Sequence, residues 1–148
     1  MGIMRYRIAT LADVQQLSAM NRQLVEDEGH RNRSKSDAWF EERMREFLRG
    51  GYEAALFEID GAVVAYALYT QHRDHPDTIH LRQIFVDRAH RRQGIGREAM
   101  RILRQEIWPV DKRLTVGVLV DNQAARAFYT AMGYREYSLE LEIPADER

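Results

Sequence analysis

The 148-residue sequence predicts a single mixed α/β domain over residues 1–148. Three observations carry that expectation. Two helical stripes precede the first strong strand pattern, Asp60-Gly61 separates two runs of strand period, and the apolar run 79–86 leads through a charged loop into a helix opened by Gly94 and Gly96. Helices and strands that interleave in this order cover the faces of a central sheet. The length suits one core of ordinary size.

Taken in order, residues 4–9 read as a strand and Thr10 caps a helix running to about residue 28, with Asp13 completing a capping box. Leu11, Val14, Leu17, Met20, Leu24 and Val25 form one apolar stripe along it, the mark of a core-facing helix. Residues 29–36 are polar and led by Gly29, hence a loop. Ser36 then caps a second helix carrying Trp39, Phe40, Met44, Phe47 and Leu48 and ending at Gly50-Gly51. Runs 53–59 and 62–70 form a hairpin, because Asp-Gly supplies the positive φ angles of a two-residue turn. A turn over 71–78 leads to the strand 79–86. The glycine-opened helix shows Met100, Leu103 and Ile107 at helical spacing and stops at Trp108-Pro109. Run 113–120 is a β-branched strand, 122–132 a helix ended by Gly133, and 134–143 alternates as a last strand. The expected sheet has six strands, or seven if the last one bends into two, with about four helices.

Composition narrows the function classes. A formal charge of −1 provides no basic excess for nucleic-acid binding, and the longest apolar run, 62–69, is too short to span a bilayer. No apolar stretch follows Met1, so a cytoplasmic location is expected. The absence of cysteine excludes disulfides and a cysteine acyl intermediate. His30, His72, His75, His80 and His90 show no metal-ligand spacing, and no metal is expected.

The stretch from Arg91 to Arg97 has the make-up of an anion cradle. Gly94 and Gly96 let the backbone turn tightly and approach a ligand, the amides of a new helix point at negative charge, and Arg91, Arg92 and Arg97 stand beside them. Phosphate is the natural ligand. Arg97 and Glu98 follow Gly96 where a nucleotide P-loop needs Lys and Ser or Thr. Gly94-Ile95-Gly96-Arg97-Glu98-Ala99 satisfies the dinucleotide fingerprint literally, yet seven residues separate it from the strand and no carboxylate follows at the required distance. A nicotinamide-dinucleotide module is therefore a distant alternative.

The order Arg91-x-x-Gly94-x-Gly96 after an apolar strand, followed about thirty residues later by Asn122 through Tyr134, resembles the two signature motifs of the GNAT superfamily of acetyl-CoA-dependent N-acetyltransferases. The second segment, Asn122-x-x-Ala125-x-x-Phe128-Tyr129-x-x-x-Gly133-Tyr134, is similar to the family's second motif. The resemblance in motifs covers residues 79–134, and before that only the element order matches. It implies a GNAT-type mixed sheet whose two parallel strands splay apart into a cofactor cleft. It also implies acetyl-CoA as co-substrate and direct transfer to a primary amine, with a homodimer as one option. A non-catalytic acetyl-CoA sensor of the same fold is the alternative.

The same resemblance implies roles for single residues. Backbone groups near Ile84, Phe85 and Val86 would pair with the pantetheine amides, and a backbone N–H near Ile84 would hold the oxyanion. Amides of Arg91, Arg92, Gln93, Gly94, Ile95, Gly96 and Arg97 would meet the pyrophosphate, and Asn122 would hold the pantetheine arm. Phe128 reads as core as readily as cofactor contact, and Asn122 as a helix cap. Tyr129 falls where the family carries the tyrosine that hydrogen-bonds the sulfur. His80 falls where many members carry the base that deprotonates the amine, with Asp77 or a water chain as alternatives. Strand alternation would put His80 on the face of Arg82 and Ile84. Glu26, Asp27, Glu28, Trp39, Phe40 and Tyr66 are the expected lining of the acceptor cleft.

Overall fold

The computed structural model describes residues 2–148. Its elements are β1 (Met4–Ile8), α1 (Val14–Glu28), α2 (Asp37–Arg49), β2 (Glu53–Ile59), β3 (Ala62–Gln71), β4 (Thr78–Val86), α3 (Ile95–Ile102), β5 (Arg113–Val116) and α4 (Gln123–Ala131). Five strands in the order β1-β2-β3-β4-β5 make one sheet, antiparallel except for the parallel β4–β5 pair.

Local chemistry sets the boundaries. Thr10 and Asp13 form the capping box over a short 3₁₀ turn, Leu11–Asp13, that leads into α1, and Gly29 ends α1 at φ 64°. The Ser36 side chain accepts the Trp39 amide to start α2. Asp60 and Gly61, at φ 52° and 81°, turn the β2–β3 hairpin. α3 passes into a π-helical stretch, Leu103–Ile107, before Trp108 stops it.

Two apolar layers sandwich the sheet. On one side Val14, Leu17, Met20 and Met44 of α1 and α2 meet Leu56, Tyr66, Leu68 and Phe85; on the other Ile95, Ala99, Met100 and Tyr129 meet Phe57, Ala67, Ile79 and Leu81. Alternation along each strand sends successive side chains to opposite layers. Inside the first layer lies one polar trio. Asn21 Nδ2 donates to the Tyr66 hydroxyl (3.2 Å) and to Gln83 Oε1 (3.0 Å), and that hydroxyl donates to Gln83 Oε1 (2.9 Å). It ties α1 to the middle of β4.

The C-terminal third corrects the sequence reading. Only Arg113–Val116 of the expected strand 113–120 is paired, and residues 134–143 form no strand, so the sheet has five strands rather than six or seven. Period-two alternation supplies a strand's side-chain pattern, but a strand exists only where another backbone accepts its hydrogen bonds. Among the described residues none does. Tyr137, Leu139, Leu141 and Ile143 accordingly stand exposed along the segment.

Because Tyr66 is wholly buried and its hydroxyl serves two partners, Tyr66→Phe leaves Asn21 and Gln83 short of a partner in the core. The expected loss is about 1–3 kcal/mol of unfolding free energy. Urea denaturation with an unchanged m-value measures it.

Candidate active site

β4 is paired with β3 as far as Val86, but with β5 only from Thr78↔Arg113 to Leu81↔Val116. Past that point the two parallel strands part. The fork leaves the β5-facing backbone groups of β4 beyond Leu81 free to bind an extended chain.

A bulge sits at the base of the fork. Leu68 pairs with Gln83 and Tyr69 with Leu81, so Arg82 is the extra residue with no partner on β3. The bulge re-aims the remainder of the strand. Ile79 and Leu81 belong to the α3 layer, which puts His80 on the α1–α2 side; Arg82 is also there, over the Phe47 ring of α2, and so are Gln83 and Phe85. Ile84 and Val86 return to the α3 layer. His80 therefore shares its face with Arg82 but not with Ile84, because strict alternation does not survive the bulge. Two adjacent polar residues, Arg82-Gln83, where alternation calls for one, were the available signal.

The anion cradle lies beyond the end of β4. No backbone amide from Gly94 to Arg97 donates to another group among the described residues. Arg92 and Gly94 are left-handed, at φ 65° and 76°, which turns successive N–H groups toward one concavity. Arg92 holds that conformation without being glycine, a strain typical of ligand loops. Gly94 has no capping side chain, and a Cβ on Gly96 would stand 3.4 Å from Phe128 and 3.7 Å from Val86. Gly96 thus brings together the two sequence motifs and the end of β4. The concave, amide-lined shape suits a pyrophosphate.

The side chains beside the cradle are partly occupied. Arg91 donates from Nη2 to Asp27 Oδ2 (2.6 Å) and from Nε to the Val86 carbonyl (3.0 Å), and Arg88 donates to Asp27 Oδ1 (2.8 Å). Burial pushes the Asp27 carboxyl up, but these hydrogen bonds outweigh it and hold the group below its ordinary value. The end of α1 is thereby pinned to the mouth of the fork. Arg91 positions the loop more than it offers free charge, while the Arg92 and Arg97 side chains enter no ion pair among the described residues.

Asn122 Oδ1 accepts the Ala125 amide (3.1 Å) and caps α4. Its Nδ2 stays free for a second partner, so the two readings of Asn122 are compatible. Tyr129 is buried, edge-to-face with Phe128 and Tyr134, and its hydroxyl makes no hydrogen bond among the described residues. Burial, then Tyr134, then the negative charge of Glu28, raise its pKa, which keeps the hydroxyl protonated. Burial also pushes Tyr134 up to about 12.

His80 Nδ1 lies 2.9 Å from Thr115 Oγ1, just behind the point where the strands part. Burial, then His72, then Arg82, lower its pKa, so the ring is neutral at pH 7. Asp77 is in the turn before β4, hydrogen-bonded from Thr78 Oγ1 and farther from the fork. Near the mouth, a groove of about 290 Å³ is lined by Gly29, His30, Arg31, Arg33 and Leu119. A larger hollow, about 720 Å³, follows the flank of α3 past Arg101, Arg104 and Trp108; it borders the cradle at Arg97 and includes no residue of β4.

The family model described as "Acetyltransferase (GNAT) family" matches residues 17–134. The chain belongs to the GNAT acetyltransferase family. No curated protein matches it. Among solved structures, a possible acetyltransferase from Clostridium difficile 630 superposes with TM-score 0.75 at 16% identity, covering 96% of this chain and 97% of the other. An aminoglycoside N-acetyltransferase in complex with CoA gives 0.74 at 14% identity, over 97% and 95%. A predicted acetyltransferase with acetyl-CoA from Clostridium acetobutylicum gives 0.73 at 15%, over 99% of each chain. At these identities the structures support the GNAT fold itself, a mixed sheet with a forked parallel pair.

Both glycines of the GNAT loop are open to test. Gly94→Val puts a β-branched residue at φ 76°, and Gly96→Val drives a branched side chain against Phe128. Each variant is expected to weaken acetyl-CoA binding at least about tenfold in a calorimetric titration, with far-ultraviolet circular dichroism unchanged. Unaltered affinity in both would remove the cradle from the site.

Proposed function

We infer that the protein moves the acetyl group of acetyl-CoA directly to a primary amine. The observation that carries this reading is the fork, with a run of free amides at its mouth and the protonated Tyr129 hydroxyl in the layer behind it. Family membership and relatives solved with CoA or acetyl-CoA support the co-substrate. One of those relatives is an aminoglycoside N-acetyltransferase, which supports an amine as acceptor.

The proposed chemistry assigns each part a task. The amine nitrogen attacks the thioester carbonyl, a backbone N–H of β4 near the bulge takes the oxyanion, and collapse breaks the C–S bond. Loss of the surplus proton from the acylated nitrogen to solvent leaves amide and thiolate. Tyr129 donates a hydrogen bond to the sulfur as charge develops there. Its raised pKa makes full proton transfer to a thiolate unfavourable, so the thiol's proton comes finally from solvent. The amine sheds its proton to His80, directly or through water; that ring is neutral, on the α1–α2 side, and next to the fork. The chain has no cysteine to hold an acetyl group, which supports direct transfer.

Tyr129→Phe is expected to lower kcat by about a hundredfold while acetyl-CoA affinity changes little, since the hydroxyl acts in the transition state. Steady-state rates beside a binding titration make the comparison, and equal turnover would reduce Tyr129 to packing.

His80 must be deprotonated to accept a proton, so kcat/KM should rise with pH through its pKa. Because that pKa is lowered, the acidic limb should lie below the ordinary histidine range. His80→Ala should cut kcat/KM by ten- to about a hundredfold and remove the limb. Retention of both limb and rate would exclude His80 as the base.

A further inference from the structure

We propose that the acceptor is an amine that carries its own carboxylate, seated on Arg43 and Arg82 with its amino end toward Glu28. This rests on the acetyltransferase reading above and narrows it to a substrate class.

Arg43 and Arg82 form an unusual pair. The Arg43 guanidinium lies over Trp39 (5.2 Å) and Phe47 (5.2 Å), and that of Arg82 lies over the same Phe47 ring (4.8 Å). Aromatic faces hold both cations in place. Among the described residues neither guanidinium makes a hydrogen bond or meets a carboxylate, although Arg22, Arg88, Arg91 and Arg126 all do. Arg43 is half-buried, and both burial and the charge of Arg82 work against its own charge. Two like charges held together without a counter-ion are costly, and an anion between them relieves that cost. Their planar donor edges suit a carboxylate.

The position of the pair makes it a substrate seat rather than a surface patch. Arg82 is the bulge residue at the base of the fork. His30 lines the groove that opens after α1. Its Nδ1 accepts the Asn32 amide (3.1 Å), and burial with Arg43, Arg31 and Arg82 keeps the ring neutral, so its proton sits on Nε2.

Glu28 supplies the opposite charge. Asn21, Val25 and Glu28 fall on one face of α1 by helical spacing; Asn21 is hydrogen-bonded to Gln83 of β4, and Asp27 is tied to Arg91 at the fork's mouth. Glu28 is open to solvent, and desolvation followed by the charge of Asp27 raises its carboxyl. Glu28 and the arginine pair therefore border the same α1–α2 side of the fork, one negative and the other positive. An ammonium would rest at Glu28 and a carboxylate on the arginines.

The test uses the full chain, acetyl-CoA, and α-, β- and γ-amino acids, each beside its own primary amide. Wild-type protein is expected to acetylate at least one amino acid about tenfold or more faster, in kcat/KM, than its amide. R43Q and R82Q should each collapse that ratio toward one. A second readout needs no turnover: with CoA present, the N-acetylated amino acid should raise the melting temperature more than its amide does, and both variants should erase the difference. Equal treatment of acids and amides by the wild type in both measurements overturns the proposal, as does a preference that survives in R43Q and R82Q. Bound acetyl-CoA with indifference to the carboxylate removes only this seat. Failure to bind acetyl-CoA removes the acetyltransferase reading itself.

Discussion

β4 belongs to two neighbours for unequal lengths, and the layout of the whole site depends on that inequality. It stays paired with β3 to Val86 but leaves β5 at Leu81. A parallel pair that parts midway exposes backbone groups that water or a ligand must satisfy. The opening is stable only because both faces of β4 remain packed, Phe85 against the α1–α2 layer and Ile84 and Val86 against the α3 layer. Each side of the opening thus inherits different chemistry. The α3 side is apolar with a row of free amides at its end, and on the α1–α2 side the apolar layer gives way beside the fork to His80, Arg82 and Gln83.

Three ties keep the helices in register with the fork. The Asn21–Tyr66–Gln83 trio fixes the middle of α1 over the bulge, Asp27 joins the end of α1 to Arg88 and Arg91, and Gly96 lets α3 approach Phe128 and Val86. The trio is largely buried, whereas the Asp27 tie is exposed and fixes position more than it adds stability. The Asp27 tie also sets the charge of the loop. One carboxylate against two guanidiniums leaves net positive charge at the cradle, where the free amides would define the seat of an anion.

The sequence was most legible where one residue type is forced by backbone geometry. Gly94 at φ 76°, Gly61 at φ 81° and Gly29 at φ 64° are positions that disfavour other residues, and reading them placed the cradle, the hairpin and the end of α1. The α1 stripe was legible for a different reason, since helical period survives any packing partner. Pairing was not legible. Residues 134–143 have a strand's alternation and no neighbour, and the bulge at Arg82 depends on register against β3. Both are properties of two segments at once, and a single run of residues encodes only its own half. The same limit hid the arginine pair, because Arg43 and Arg82 are distant in sequence and meet only through Phe47.

Two arginine pairs stand at the two approaches to the fork, and their difference is informative. Arg88 and Arg91 share Asp27, so their charge is balanced largely from within and their role is to hold the loop. Arg43 and Arg82 share only an aromatic ring, which orders them without neutralising them. Cation–π attraction of about 0.5–1 kcal/mol at each exposed contact offsets part of the repulsion between two guanidiniums but supplies no acceptor for their N–H groups. A fold that needed these residues only for packing would gain by replacing either with a neutral chain of similar length. Keeping both charges beside the chemistry is coherent when an anion arrives from outside, and the carboxylate of an incoming amine would bring the missing counter-ion together with the reacting nitrogen.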